Sequence, residues 1–495
     1  MNLVLPIRQS SPLWQLSAIL SALVLGGMIV FLPIELAGLL ILSVVLGILS
    51  VITPFSALAF TLIIAPLRTL IQTESAVNLP LDVGQLGFFF FVGAWITHRI
   101  IYKKRLIEWT YTPLYISIGI FLIVTGLGGF YATSLSAWLT EWLKWALILV
   151  LIYILVTLCR YNRRWEWLLF ALVGSGLAQS IIGLYTFFGG SGADHLRIFP
   201  DRGLFRAFGS FGQPNPFGGF MGLLTPLAMM SAVGYIMCVW SIWRKNRVIS
   251  RHNLFLGGYY GTASLLMGSA VIASWSRGAW LGLGVAILVL VVAFPRKLWQ
   301  GLGLLALAII IGGILWMSGR LPSSLTDRIS SATQELFVLS DVRGVDINPE
   351  NYAVIERLAH WQAALNMGRA NAWLGVGFGN YDATYDTYRL INWKFSLGHA
   401  HNYYLNVLAE TGIIGLVAYI GLFIHLLVLT WQTRKHPDNL ARLTAVGLLG
   451  SWVYLMTHSM TDNLYVNNVF IHFGVMIGIL AIIQHPLIRM KVKIP

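Results

Sequence analysis

Charge, acid and cysteine are all scarce in this chain. Only 11% of its 495 residues are charged, and 19 acids face 33 lysines and arginines. With 57% hydrophobic residues and a mean hydropathy of +0.74, it has too little polar surface for a water-soluble fold. The only two cysteines, Cys159 and Cys238, lie in apolar segments beside basic turns, which excludes a disulfide framework. No P-loop and no dinucleotide-binding fingerprint is present, so a cytosolic nucleotide is not the energy source. The hydrophilic segments hold no D-x-D, no H-x-x-x-H and no cysteine cluster, so no metal site is expected. His360, His399, His401 and His458 could converge, but no ligand spacing supports it. The absence of an internal repeat argues against a transporter built from two inverted halves. No A-x-A site follows the first apolar run, which reads as a retained helix.

What the chain does have is apolar runs of about 18–22 residues, enough to cross a hydrocarbon layer of about 30 Å. The expected fold is an all-α polytopic membrane protein. Helices are expected near 13–33, 35–52, 56–72, 85–101, 113–131, 140–160, 165–188, 217–240, 255–274, 279–295, 299–318, 411–431, 441–459 and 466–485. With the N-terminus inside, the basic clusters at 98–105, 160–164, 244–251, 296–297, 433–436 and 489–493 all fall on the cytoplasmic side, as does the C-terminus. The net charge of +14 is then membrane anchoring, not a nucleic-acid footprint.

Four regions follow: N-terminal helices (1–188), central helices with an arginine-bearing outer loop (189–318), a large outer cap (319–410) and C-terminal helices (411–495). Within the cap, Tyr352, Ile355, Leu358, Gln362 and Leu365 recur at helical spacing over 350–369, and "LGVGFGN" (374–380) supplies glycine-rich turns. A loop of that length with its own helix reads as a functional cap.

Most outer turns carry acids only, and Arg68 is a minor exception. The loop at 189–216 departs from this with Arg197, Arg202 and Arg206, and the turn "ASWSRGAW" (273–280) with Arg277. Guanidinium forks suit phosphate oxygens. They can equally reach lipid headgroups, or pair with Asp194, Asp201 or Glu356. Composition leaves both readings open.

The stretch "LGHAHNYYLNVLAETGIIG" (397–415) poses a similar choice. Read as a helix, it places His401, Leu405, Leu408, Gly412 and Gly415 on one stripe, with the glycines admitting a neighbouring helix. His401 then sits in the first helical turn, where free N–H groups favour anions, and His399 points elsewhere. A neutral imidazole there can take a proton from a hydroxyl, or it can simply satisfy a carbonyl at the interface.

The same stretch fits the pattern H-[NSQ]-x9-G-x-x-[GTY] through His401, Asn402, Gly412 and Gly415, and so resembles the bacterial O-antigen ligase and O-antigen polymerase superfamily. Three further blocks are similar: "FGSFGQPNPFGGFMGLLTPLAM" (208–229), "SWSRGAWLGLG" (274–284) and "ERLAHWQAALNMGRANAWLGVGFGNY" (356–381). The likeness spans roughly 190–420; the N-terminal helices match only in character. It implies a membrane glycosyltransferase of the GT-C type at the outer face of the cytoplasmic membrane. The donor would be a glycan on undecaprenyl diphosphate, and the acceptor a glycolipid, a glycan or a protein. By the resemblance, His401 is the catalytic histidine, Arg206 and Arg277 hold the diphosphate, and Arg357 falls in a shared block. Arg202, Asn402 and His399 are possible supporting residues. Such proteins are described with about twelve helices, against the fourteen counted here.

The residue types and the resemblance imply the same chemistry. Arginines can neutralise a departing diphosphate without a metal or other cofactor, and a histidine base attacking from the opposite side inverts the anomeric centre. Trp361, Trp373, Tyr381 and Tyr403 are candidates for a sugar groove, although core packing suits most of them. Three alternatives stand beside the ligase: a polymerase using the same chemistry, a bicarbonate-uptake-associated transporter, and a non-catalytic scaffold. The charges within the spans cluster at their ends, which argues against an ion pathway.

Overall fold

A computed structural model describes residues 34–74, 82–159, 164–190, 193–319, 341–348 and 351–484. The expected helix at 13–33 lies outside them. Each of the other thirteen expected segments coincides with a helix. These are α1 (Ile34–Ile52), α2 (Pro54–Glu74, with a tighter turn at Ala65–Leu67), α3 (Val83–Ile101), α4 (Leu114–Gly126), α5 (Leu135–Cys159), α6 (Trp165–Tyr185), α7 (Pro214–Asn246), α8 (Arg251–Ala273), α9 (Arg277–Ala293) and α10 (Leu298–Met317). The cap contributes α11 (Tyr352–Ala370) and α12 (Tyr381–Tyr388), and the chain continues as α13 (Tyr403–Thr433), α14 (Asn439–His458) and α15 (Val469–Gln484). Among the described residues, eight helices are long and apolar enough to cross a membrane and four shorter ones are apolar. The protein is an all-α, multi-pass membrane protein. One antiparallel hairpin, β1 (Arg197–Phe199) with β2 (Leu204–Phe205), interrupts the helices.

The chain divides into two compact units, Met1–Phe60 with Phe88–Leu106, and Thr61–Gly87 with Ile107–Pro495. In the first, His98 Nδ1 meets the Val51 carbonyl at 3.0 Å and ties α3 to α1. The second holds the site. Its core is a sandwich of α7, α9 and α14, where Met230, Leu290, Ala293, Leu443, Val446 and Leu449 pack together. Small residues make this approach possible. A Cβ on Gly222 of α7 would lie 2.1 Å from the ring of Tyr454 in α14, whose hydroxyl donates to the Gly218 carbonyl at 3.0 Å. Without a hydrophobic drive between helices in lipid, such backbone approach is a main source of adhesion.

The cap seats on α13 through a break in that helix. Gly412 has φ +65° and ψ −166°, which interrupts the ladder and frees the groups around it. The turn at 372–377 takes them up. Val376 and Gly377 N–H donate to the Ala409 and Glu410 carbonyls, each at 2.9 Å. Ile413 and Ile414 N–H donate to Ala372 and Trp373, at 2.8 and 3.3 Å. Two carbonyls and two N–H groups beside the break are thereby paired. A Cβ at position 412 would sit 2.3 Å from the Trp373 carbonyl carbon, so only glycine fits. The stripe expected to run through Gly412 is therefore broken, and the glycine admits the cap's backbone instead of another helix. The buried Glu410 carboxylate completes the joint by accepting from Gly379 N–H (2.9 Å) and Tyr381 N–H (3.2 Å) at the start of α12. Beneath it Ala363, Ala364, Met367, Val376, Tyr381, Tyr385, Ala400 and Ala409 form the core of the cap.

Candidate active site

The first wall of the site is the turn between α8 and α9. Ser274 ends α8, Trp275 takes the left-handed conformation (φ +54°), and Ser276 begins α9. For a tryptophan that conformation costs about 1–2 kcal/mol. The cost is offset by Ser276 N–H donating to Ser274 Oγ (3.3 Å) and by Trp280 Nε1 donating to the Val271 carbonyl (3.0 Å). The result places Arg277 in the first turn of α9. Arg206 arrives from the hairpin. Its Nε donates to the Ser274 carbonyl (3.1 Å) and its NH2 to Asn215 Oδ1 (3.0 Å), which holds the guanidinium against the same turn. Arg357 comes from α11 in the cap.

These three arginines line one cavity of about 130 Å³, together with Asn215, His458, Thr461 and Asp462. Among the described residues, Asp462 is the only acid in the lining. Two more histidines approach it from behind. His399 Nε2 and His401 Nδ1 each lie 3.6 Å from Asp462 Oδ1, and their rings are 4.4 Å apart. His360, from α11, stacks on Tyr385 and stands 5.8 Å from His401 ring to ring. Its Nδ1 meets the Tyr381 hydroxyl at 3.1 Å.

Two sequence expectations fail here. His401 is not in the first turn of a helix. Asn402 caps α13, its side chain accepting from Leu405 N–H at 3.1 Å, and His401 precedes the cap at φ +51°. His399 does not point away; that left-handed turn folds it back beside His401. Of the supporting candidates, Asn402 is spent on capping, and Arg202 lies exposed in the turn Pro200–Arg202, outside the cavity lining. Among the aromatic candidates, Trp361, Tyr381 and Tyr403 are buried in packing and Trp373 is exposed.

The electrostatics follow from burial. Burial would raise the Asp462 carboxyl, but the nearby imidazoles of His401, His399 and His458 outweigh it, so the group is held well below the usual carboxylate range. Burial pushes His399 down to about 4 against the pull of Asp462. Burial, helped by His401 and His399, also pushes His360 down to about 4. At ordinary pH Asp462 is thus ionised, beside the neutral imidazole of His399.

One nitrogen of each ring can be assigned from its partner. His399 Nδ1 accepts the His401 backbone N–H at 3.0 Å, so its neutral ring carries its proton on Nε2, facing Asp462. The buried His401 Nδ1 also faces Asp462, so whenever that ring is neutral the tautomer with its proton on Nδ1 is favoured, which puts the lone pair on Nε2. This bears on metal binding. Contrary to the spacing argument, His399, His401 and Asp462 do bring ligand atoms within 4.8 Å of one another. A cation there would need the His399 Nε2 lone pair, which the bond at Nδ1 assigns to a proton, so the donor set fits a metal poorly.

Asp462 and Glu410 were not singled out in the sequence. Asp462 stands 61 positions from His401 and joins it only through the packing of α13 on α14, where Tyr403 N–H donates to the Ser459 carbonyl at 2.8 Å. The one signal was an acid in an outer turn opposite outer arginines.

Comparison with known proteins adds an independent line. Residues 262–420 match the family described as O-Antigen ligase, a span that holds Arg277, Arg357, His399 and His401 but not Arg206 or Asp462. A stretch of 242 residues is 27% identical to an O-antigen ligase of Pseudomonas aeruginosa, covering 49% of this chain and 49% of that protein. The chain thus matches about half the length of that curated relative.

Proposed function

We propose that this chain, which matches the O-antigen ligase family over residues 262–420, is a membrane glycosyltransferase that moves a glycan from undecaprenyl diphosphate to an acceptor hydroxyl at the outer face of the bacterial inner membrane. The observation that carries this reading is the meeting of Arg206, Arg277 and Arg357 around one cavity whose single acid, Asp462, also touches His401.

In this reading the three guanidiniums bind the donor's diphosphate and take up the charge it gains as the glycosidic bond breaks. His401 Nε2 removes the acceptor proton as the hydroxyl oxygen attacks the anomeric carbon. Asp462 holds the ring in the right tautomer and stabilises the imidazolium that forms. The diphosphate leaves with the bonding pair, opposite the attacking oxygen, so the anomeric centre inverts. Proton and charge are both accounted for by side chains, which supports a metal-independent reaction. The cap helices α11 and α12 lie on the outer side of the membrane in this reading, with both termini cytoplasmic. Attachment of one block (ligase) and lengthening of a chain (polymerase) share this chemistry; the printed description of the relative favours the ligase.

The test is transfer by the purified protein from a lipid-linked oligosaccharide to candidate acceptors, with the anomeric configuration of the product read by NMR. His401→Ala is expected to lose about 10²–10⁴-fold in turnover while keeping its melting temperature. Chelation with EDTA is expected to leave the wild-type rate unchanged. Full activity in His401→Ala, or retention of configuration, would refute the mechanism.

A further inference from the structure

Helix α11 carries two faces. Ala353 and Arg357 line the diphosphate cavity and His360 meets His401. Leu358, Gln362, Leu365, Asn366 and Arg369, spaced 4, 3, 1 and 3, line a second cavity of about 490 Å³. At about 100° per residue the two sets lie roughly 160° apart around the helix. The second cavity is closed by Leu390 and by the Arg343–Asp341 pair, whose two bonds from Nε and NH2 fix it as a rim.

We propose that this second cavity is a saccharide subsite, holding sugar units of the glycan other than the one that reacts; the proposal rests on the reading above. Its volume falls in the range of pockets that enclose small ligands, about 300–1,000 Å³. Its chemistry suits a sugar ring. Leu365 and Leu390, both partly buried, offer apolar surface to the C–H face of a pyranose, over a floor in which Leu358 is buried. Side-chain amides both donate and accept, as sugar hydroxyls do. Asn366 Nδ2 is committed to the Tyr388 carbonyl at 3.3 Å, which orients the amide and leaves its oxygen as an acceptor. Arg369 is exposed at the mouth and makes no ion pair among the described residues, so it can reach hydroxyls or a sugar carboxylate. A helix about 10 Å across separates this cavity from the reacting centre, so it serves units further along the chain. Both faces belong to one rigid element, so a glycan bound on one side positions its reactive end on the other.

The experiment uses two probes on the full-length protein: the oligosaccharide released by mild acid from the undecaprenyl-diphosphate pool of the source cells, and the core oligosaccharide released from its lipid A. Binding of each is measured by titration calorimetry to wild type, to Leu365→Trp (which fills the cavity), to Arg369→Glu and to His401→Ala. One of the two probes is expected to bind wild type and His401→Ala alike, and to bind Leu365→Trp and Arg369→Glu about tenfold more weakly. Which probe does so tells donor from acceptor. Turnover gives the second readout: in Leu365→Trp, KM rises about tenfold for the long substrate and stays unchanged for its reducing-end disaccharide, with kcat unaltered. Binding of neither probe to wild type, or equal binding by all four proteins, would overturn the subsite while leaving the diphosphate site standing. A failure of transfer in wild type with the binding pattern intact would overturn the reaction and leave the subsite.

Discussion

Helix α9 has arginines at both ends, roughly 24 Å apart at 1.5 Å per residue. At its far end Arg442 donates to the Phe294 carbonyl (2.8 Å), Arg434 to the Pro295 carbonyl (3.0 Å) and Arg296 to Asn439 Oδ1 (3.3 Å). Arg434 also stacks on Trp431 at 3.9 Å, and both Arg434 and Arg442 are buried. The last carbonyls of a helix carry partial negative charge, so cations belong there. The near end is the reverse. Arg277 opens α9 where the helix is partially positive, and Arg206 and Arg357 share its cavity with one carboxylate. The far end is finished by its own carbonyls. The near end gathers three positive groups around one cavity. Equal residues at two ends of one helix therefore serve the fold in one place and chemistry in the other.

The sharpest way to break this contrast is to remove one arginine at each end. Arg277→Ala is expected to lower kcat/KM about 10²–10³-fold, the usual effect of deleting one donor to a developing anion, with a smaller loss of stability than Arg442→Ala. Arg442→Ala is expected to do the opposite. It removes a buried guanidinium and takes the Arg442 bond from the Phe294 carbonyl, destabilises by about 1–3 kcal/mol, and leaves turnover per folded molecule near wild type. Equal loss of stability in both variants would erase the distinction. Arg277→Lys sharpens it further, since an ammonium replaces the charge but not the planar fork.

How much of this was legible beforehand differs by residue. The helices were readable because apolar runs are the whole of their signal, and α2 through α10 fall within a few residues of expectation. The arginines were readable as anomalies against the distribution of charge. What stayed hidden was local backbone and distant packing. Nothing in "HAHNYY" announces that His401 turns left-handed before a capped helix, because asparagine tolerates many roles beside a turn. Gly412 and Gly415 look alike in sequence, yet only the first breaks the ladder. Asp462 belongs to His401 through two helices packing side by side, a contact that periodicity does not encode.

Proton dependence offers a second way to separate the two ends. The far end is built from arginines, which do not titrate. The near end contains His360 and His399, both pushed down to about 4 by burial. Between the ordinary imidazole value of 6.5 and about 4, the unfolded chain binds protons that the folded chain refuses. Stability from these groups is therefore complete above 6.5 and is lost as pH falls towards 4, by up to about 3 kcal/mol for each imidazole. Asp462 works lower, since its depressed carboxyl loses its contribution only below the ordinary carboxylate value. Melting temperature measured in detergent across pH 4–8 is expected to fall on the acid side, and His360→Gln to flatten part of that slope. An unchanged slope in the variant would locate the sensitivity elsewhere.

The smallest effect compares two helix starts within the site. Asn402 caps α13 through its side chain, whereas Ser276 at the start of α9 makes no side-chain cap bond, although it lines the cavity. Replacing a working cap with alanine costs about 1 kcal/mol, so Asn402→Ala should lower the melting temperature by a few degrees and Asn402→Asp, which can still accept from Leu405 N–H, should restore it. Ser276→Ala removes no such bond and should leave stability within about 0.5 kcal/mol. The first N–H groups of α9 then have no side chain of Ser276 to satisfy them, which is the condition in which a helix start can accept a phosphate oxygen. If Ser276→Ala proved as destabilising as Asn402→Ala, α9 would be capped as an ordinary helix is, and its first turn would offer the diphosphate nothing beyond Arg277 itself.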